Sequence, residues 1–147
     1  MKSDKVITIL TVLLIGVLLV LLQSCKDDAQ PVDDDDVFTS RLSQTWKVKR
    51  VTADDVDVTG AFKNMTITFK ADQSYSVTNA VSPIWPASGS FEIVPANDGQ
   101  YDLKRNDGAT VNVTSLSDSS VFLELFYTSQ SGRVAGVSGQ YIFELTR

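Results

Sequence analysis

The residue best suited to covalent chemistry is Cys25, the only cysteine in the chain, which directly follows Leu22-Gln23-Ser24. The other reactive groups are ordinary. There is no histidine, so the commonest general base and metal ligand is missing. Serines are plentiful, but Gly136-Val137-Ser138-Gly139 lacks the spacing of a nucleophile elbow. Glu92, Glu124 and Glu144 are the acids of the strand-like segments, and a pair of carboxylates across a cleft is what glycoside hydrolysis uses. Each of the three lies on the polar side of its alternation, which places it on a solvated outer face. Asp54, Asp55 and Asp57 fall in a loop, and no phosphate-cradling glycine loop is present. The expectation is a protein that is not an enzyme and holds neither metal nor cofactor.

Stepping outward from Cys25, the chain before it carries Lys2 and Lys5 and then Val6 to Leu22, a run without charge. A basic start, an apolar run and a small residue at the boundary are the parts of a secretory signal. The run is also near the ~17–25 residues that cross a bilayer, so length alone leaves a retained helix open. The position of the lone cysteine decides for a cleaved signal. Leu22-Gln23-Ser24-Cys25 resembles the bacterial lipobox. That resemblance implies that residues 1–24 are removed and that the Cys25 thiol carries diacylglycerol, holding the protein on a membrane. Stable anchoring takes two or more acyl chains. Lys26-Asp27-Asp28 resembles the surface-export signal of lipoproteins from Bacteroidetes-type bacteria, implying an outer-membrane protein facing the cell exterior.

Residues 26–147 hold 11 Lys+Arg and 17 Asp+Glu, which is the whole chain's 13 and 18 less Lys2, Lys5 and Asp4, for a net charge of −6. Nucleic acid, which needs a basic footprint, is not an expected partner. Asp33 to Asp36 form a like-charge run that favours an extended, solvated chain. Residues 25–36 therefore read as a lipidated, acidic and flexible stalk. Calcium is disfavoured there, because the run lacks spaced ligands and a turn glycine.

From residue 37 to 147 the chain is long enough for one core. Val37 to Leu42 fits a short helical turn, with Phe38 and Leu42 spaced i, i+4. Beyond it the period is two. Eight segments alternate: Trp46 to Val51, Met65 to Phe69, Ser74 to Thr78, Ser90 to Ile93, Tyr101 to Lys104, Thr110 to Thr114, Val121 to Tyr127, and Tyr141 to Leu145. Asp98-Gly99 and Asp107-Gly108 favour tight hairpins, and Ala71-Asp72-Gln73 is a third short reversal. No gap can hold a crossover helix. The expected fold is all-β, an eight-stranded antiparallel up-and-down barrel closed against exposed edges; an open two-sheet sandwich is the alternative.

The helical turn leading to Leu42-x-x-x-Trp46, the seven following strands, Trp85-Pro86 and Gly139-Gln140-Tyr141-Ile142-Phe143-Glu144-Leu145 together resemble the lipocalin-like domains of Bacteroidetes-type lipoproteins. The likeness spans Arg41 to Arg147 and departs at Gln44, where lipocalins place glycine. It implies an arginine packed over Trp46, with Arg147 the first candidate and Arg133 the second.

An eight-stranded barrel is just wide enough to be filled by side chains or to hold one small ligand. The residues expected to line a cavity are Met65, Ile67, Phe69, Tyr75, Val77, Phe91, Tyr101, Val113, Tyr141 and Phe143. The opposing expectation is that they pack on one another. Trp85, between Pro83 and Pro86, suits either a rim contact for a partner or a plug in one barrel end. Phe122 and Phe126 share the outer face of their strand with Glu124, so that face needs a cover: the Phe38/Leu42 turn, or a partner. Arg133, in the glycine-flanked stretch 132–136, is a further rim candidate. The leading functional expectation is a membrane-anchored barrel that binds a small apolar or amphipathic ligand. The alternative is a protein-interaction module, an envelope-complex subunit or an inhibitor, with a filled core.

Overall fold

The computed structural model describes residues 34–128 and 138–147; the signal, Cys25, the stalk up to Asp33 and Arg133 lie outside them. The described chain opens with helix α1 (Asp34–Leu42), followed by strands β1 (Thr45–Ala53), β2 (Val56–Asp57), β3 (Thr66–Phe69) and β4 (Ser74–Thr78). Then come β5 (Ser88–Pro95), β6 (Tyr101–Arg105), β7 (Thr110–Leu116), β8 (Ser120–Tyr127) and β9 (Gly139–Thr146), with 3-10 turns at Thr59–Phe62 and Asn97–Gly99. Consecutive strands pair antiparallel, and β1 also pairs with β9. That last pairing closes an eight-stranded barrel consistent with a lipocalin-like fold. The two-residue β2 only folds back on the end of β1.

The helix starts earlier than the sequence suggests. Asp34, Asp35 and Asp36 form its first turn instead of belonging to the stalk, because carboxylates are favoured where unpaired amides concentrate positive charge. At its other end the Leu42 carbonyl accepts hydrogen bonds from the Gln44 amide at 2.8 Å and from Trp46 Nε1 at 3.0 Å.

Alternation holds in most strands but breaks in β1. Lys49 has no partner in β9, since Val48 pairs with Leu145 and Arg50 with Glu144. This bulge reverses the phase expected from simple alternation: Val51 turns inward and is buried, while Arg50 points out. Outside, Lys49 Nζ reaches Glu144 at 2.6 Å. A second bulge in β7 at Thr114, between the pairs Val113–Leu123 and Ser115–Phe122, bends the wall near α1.

Turn chemistry follows the residues. Gly99 and Gly108 adopt φ of +72° and +87°, as the Asp-Gly pairs require. Asp54 and Asp55 both take positive φ, 47° and 65°, making the tight β1–β2 connection. The Asp54 carboxylate then accepts the Gln140 amide at 2.9 Å. A Cβ on Gly139 would stand 2.5 Å from that carboxylate, so glycine is what allows Asp54 to clasp the start of β9.

Lys47 of β1 pairs with Thr146 of β9, so the chain enters and leaves the barrel at one end, with α1 beside it. The opposite end carries residues 54–65, 79–87 and 106–109.

Candidate functional site

Nine of the ten expected cavity residues (Met65, Ile67, Phe69, Tyr75, Val77, Phe91, Val113, Tyr141 and Phe143) are buried in one core, together with Trp46, Phe62 and Trp85. Inside the barrel their side chains pack on one another. Phe69 meets Phe91, Trp85 and Tyr75 at centroid distances of 5.5, 6.2 and 6.5 Å, and Phe143 meets Phe62 at 5.2 Å and Trp85 at 6.0 Å. Most of these pairs are edge-to-face, the arrangement that ring quadrupoles favour. Tyr101 is the exception. It is half-buried at the α1 end, its ring 4.4 Å from Phe38 and its hydroxyl donating to Asp35 at 2.5 Å.

The end remote from α1 is closed by the segment between β4 and β5. Trp85 has no exposed surface and Ile84 almost none, so Trp85 is a plug and does not serve as a rim contact. Pro83 and Pro86 restrict the backbone on either side, and the Trp85 amide bonds the Val81 carbonyl at 2.9 Å. Tyr75 packs edge-on to the indole at 5.7 Å. Its cross-strand partner is Gly89, where a Cβ would stand 2.6 Å from the Tyr75 hydroxyl; the glycine makes room for the ring.

Arg105 holds this plug. It is 3% exposed, follows Tyr101 and Leu103 on the inward face of β6, and lies over Trp85 with Cζ 4.9 Å from the ring centroid. Its Nη1 donates to the Ile84 carbonyl at 2.8 Å, its Nε to Asp107 Oδ1 at 3.1 Å and its Nη2 to Asp107 Oδ2. Among the described residues an arginine lies over a tryptophan at Trp85, because the β6 phase points Arg105 inward there; of the two candidates for Trp46, Arg133 lies outside the described residues. Arg147 is exposed. Strand alternation carries the signal for Arg105, read one step past Leu103.

Burial raises the Asp107 carboxyl, but the hydrogen bonds from Arg105 and the Ala109 amide outweigh it and leave the group below its ordinary 3.8. The Tyr75 hydroxyl is pushed above its ordinary value of 10.0 by burial, which the positive charge of Arg105 only partly offsets. Tyr75 Oη and Trp85 Nε1 are both buried without a hydrogen-bond partner, an expensive condition for a polar group.

On the outer wall Phe126 is 71% exposed and Phe122 half-buried. The expected cover, α1, is elsewhere: it packs beside β7 and, through Phe38 and Asp35, on Tyr101 of β6, and Leu42 is buried in the core. Glu144 is held by Lys49, Glu124 accepts from Gln140, and Glu92 is exposed. Among the described residues no three acidic, histidine or cysteine side chains cluster as metal ligands, and no helix is long and apolar enough to cross a membrane.

These features define a closed antiparallel β-barrel with an aromatic core and an arginine-held plug. Comparison with protein families, characterised proteins and solved structures finds no match for this chain.

Proposed function

We propose that the protein is an exported lipoprotein, anchored in the outer membrane through Cys25 and facing the cell exterior, whose barrel is a non-catalytic protein-interaction module. The observation that carries this reading is the filled interior. The volume in which a small ligand would sit is taken by the chain's own rings, and core packing at crystal density leaves little for a guest. Binding then belongs on the outside. Eight residues, 26–33, separate Cys25 from α1, a tether of at most about 28 Å. The tether joins the barrel at its α1 end, which leaves the plugged end free for a partner. Phe126, at the end of β8 paired with Gln140, lies toward that plugged end.

The test is capture from envelope extracts by the full-length protein, comparing wild type with Phe126→Ser and identifying the retained protein by mass spectrometry. A partner held by the wild type and lost by the variant is expected; equal capture overturns the reading. Native mass spectrometry showing a small molecule carried through purification would restore the ligand-binding alternative. An intact mass lacking acyl chains would remove the anchor.

A further inference from the structure

Beside the plug is a groove of about 530 Å³, lined by Pro83 and Pro86, by Asp107 and by Phe126 and Tyr127 at the end of β8. We propose that this groove receives a segment of a partner protein in which a basic side chain sits next to an apolar one, the cation on Asp107 and the apolar group on Phe126. The proposal rests on the interaction-module reading and specifies its partner.

The cation follows from the unused capacity of Asp107. An ionised carboxylate has about four acceptor positions. Arg105 Nε and the Ala109 amide occupy two at Oδ1, and Arg105 Nη2 takes one at Oδ2. Among the described residues no further side chain reaches Oδ2, and the Asp107 side chain is 38% exposed. Arg105 cannot answer an anion from the groove, because its guanidinium is buried behind Asp107 and spent on Ile84, Asp107 and the Trp85 face. Of the other acids at the same barrel end, Asp57 is paired with Arg50 at 3.4 Å and Asp54 accepts the Gln140 amide, while the net charge of −6 over residues 26–147 steers a cation toward the molecule.

The apolar half follows from Phe126, whose ring is left in water beside two prolines, the kind of surface that interfaces enrich. Charge argues against a second copy of this chain as occupant. Among the described residues the other large apolar side chain that is exposed, Val56 at 63%, is flanked by Asp55 and Asp57, which would face Asp107 with like charge. Two Phe126 surfaces brought together would juxtapose two Asp107 carboxylates.

The experiment follows backbone amide signals of the full-length protein by NMR while adding acetyl-Gly-Phe-Arg-Gly-amide or, separately, acetyl-Gly-Phe-Glu-Gly-amide. The arginine peptide should shift Gly108, Ala109, Phe126 and Tyr127 and bind at least tenfold more tightly than the glutamate peptide at low salt, with the advantage shrinking as salt rises. Asp107→Asn should abolish the discrimination, and Phe126→Ser, at an exposed position that folding does not need, should weaken the arginine peptide severalfold. Equal binding of the two peptides, shifts confined to another surface, or no binding of either overturns the proposal. Envelope capture that depends on Phe126 without any charge preference would leave the module reading standing and this inference refuted.

Discussion

Two tryptophans close the two ends of this barrel, and they do so differently. Trp46 enters from the first strand, and its indole N–H is answered by the Leu42 carbonyl at 3.0 Å. Trp85 enters from a loop, is equally buried, and its N–H has no partner; what holds it is the Arg105 guanidinium across its face. One end is tied by a satisfied hydrogen bond to the helix that caps it. The other depends on aromatic packing and an ion pair that reaches the surface at Asp107. Equal burial thus conceals unequal dependence on polar chemistry, and the end set by Arg105 and Asp107 is the one bordering the groove.

The largest effect should come from removing the rings. Trp46→Ala and Trp85→Ala are each expected to cost about 3–5 kcal/mol of stability in chemical denaturation, and a near-zero cost at either site would break the picture of a continuous core. Next is Arg105→Ala. Truncating one member of a mostly buried pair strands the Ile84 carbonyl and Asp107, but Asp107 is partly solvated, so a loss of about 2–3 kcal/mol is expected. That variant should also increase acrylamide quenching of Trp85, measured with Trp46 replaced by phenylalanine.

Conservative replacements sharpen the comparison. Trp46→Phe leaves the Leu42 carbonyl one donor short, whereas Trp85→Phe removes an orphan. Trp46→Phe should therefore be the more destabilising by about 1–2 kcal/mol. Equal losses would mean that the Trp85 N–H has found a partner.

Acid should act at the plugged end. The folded Asp107 carboxyl lies below its ordinary 3.8, so its contribution to stability is present above that value and disappears as pH falls through the folded pKa. Asp107→Asn should make the stability of the protein less steep in that acid window, and an unchanged slope would show that Asp107 does not report on the plug. The last two substitutions are at the clasp on β9 and at Phe126, where the smallest effect is expected. Gly139→Ala should cost about 1–3 kcal/mol by displacing the Asp54 carboxylate, while Phe126→Ser should change stability by less than about 0.5 kcal/mol.

Strand number, antiparallel order and the glycine turns were legible in the residues, because side chains alternate with a fixed period and positive-φ positions select glycine. The cavity residues were legible as interior, apart from Tyr101, which α1 draws toward Phe38 and Asp35. Alternation could not show the Lys49 bulge, since an extra residue leaves both flanking patterns intact and only the β9 partner reveals the slip. Nor could it place the cover for Phe126, because the path of a helix depends on which surface offers it contacts.

By composition and order alone, then, the chain fixed a single all-β body with an apolar interior, since period-two alternation and short turns admit little else. Whether that interior was hollow was decided in three dimensions. Trp85 lies outside every strand pattern, and only the meeting of its loop with Arg105, 20 residues further along the chain, turns an indole into a plug. Local sequence sets which face of a strand is greasy; the filling of shared volume depends on side chains that no local rule brings together.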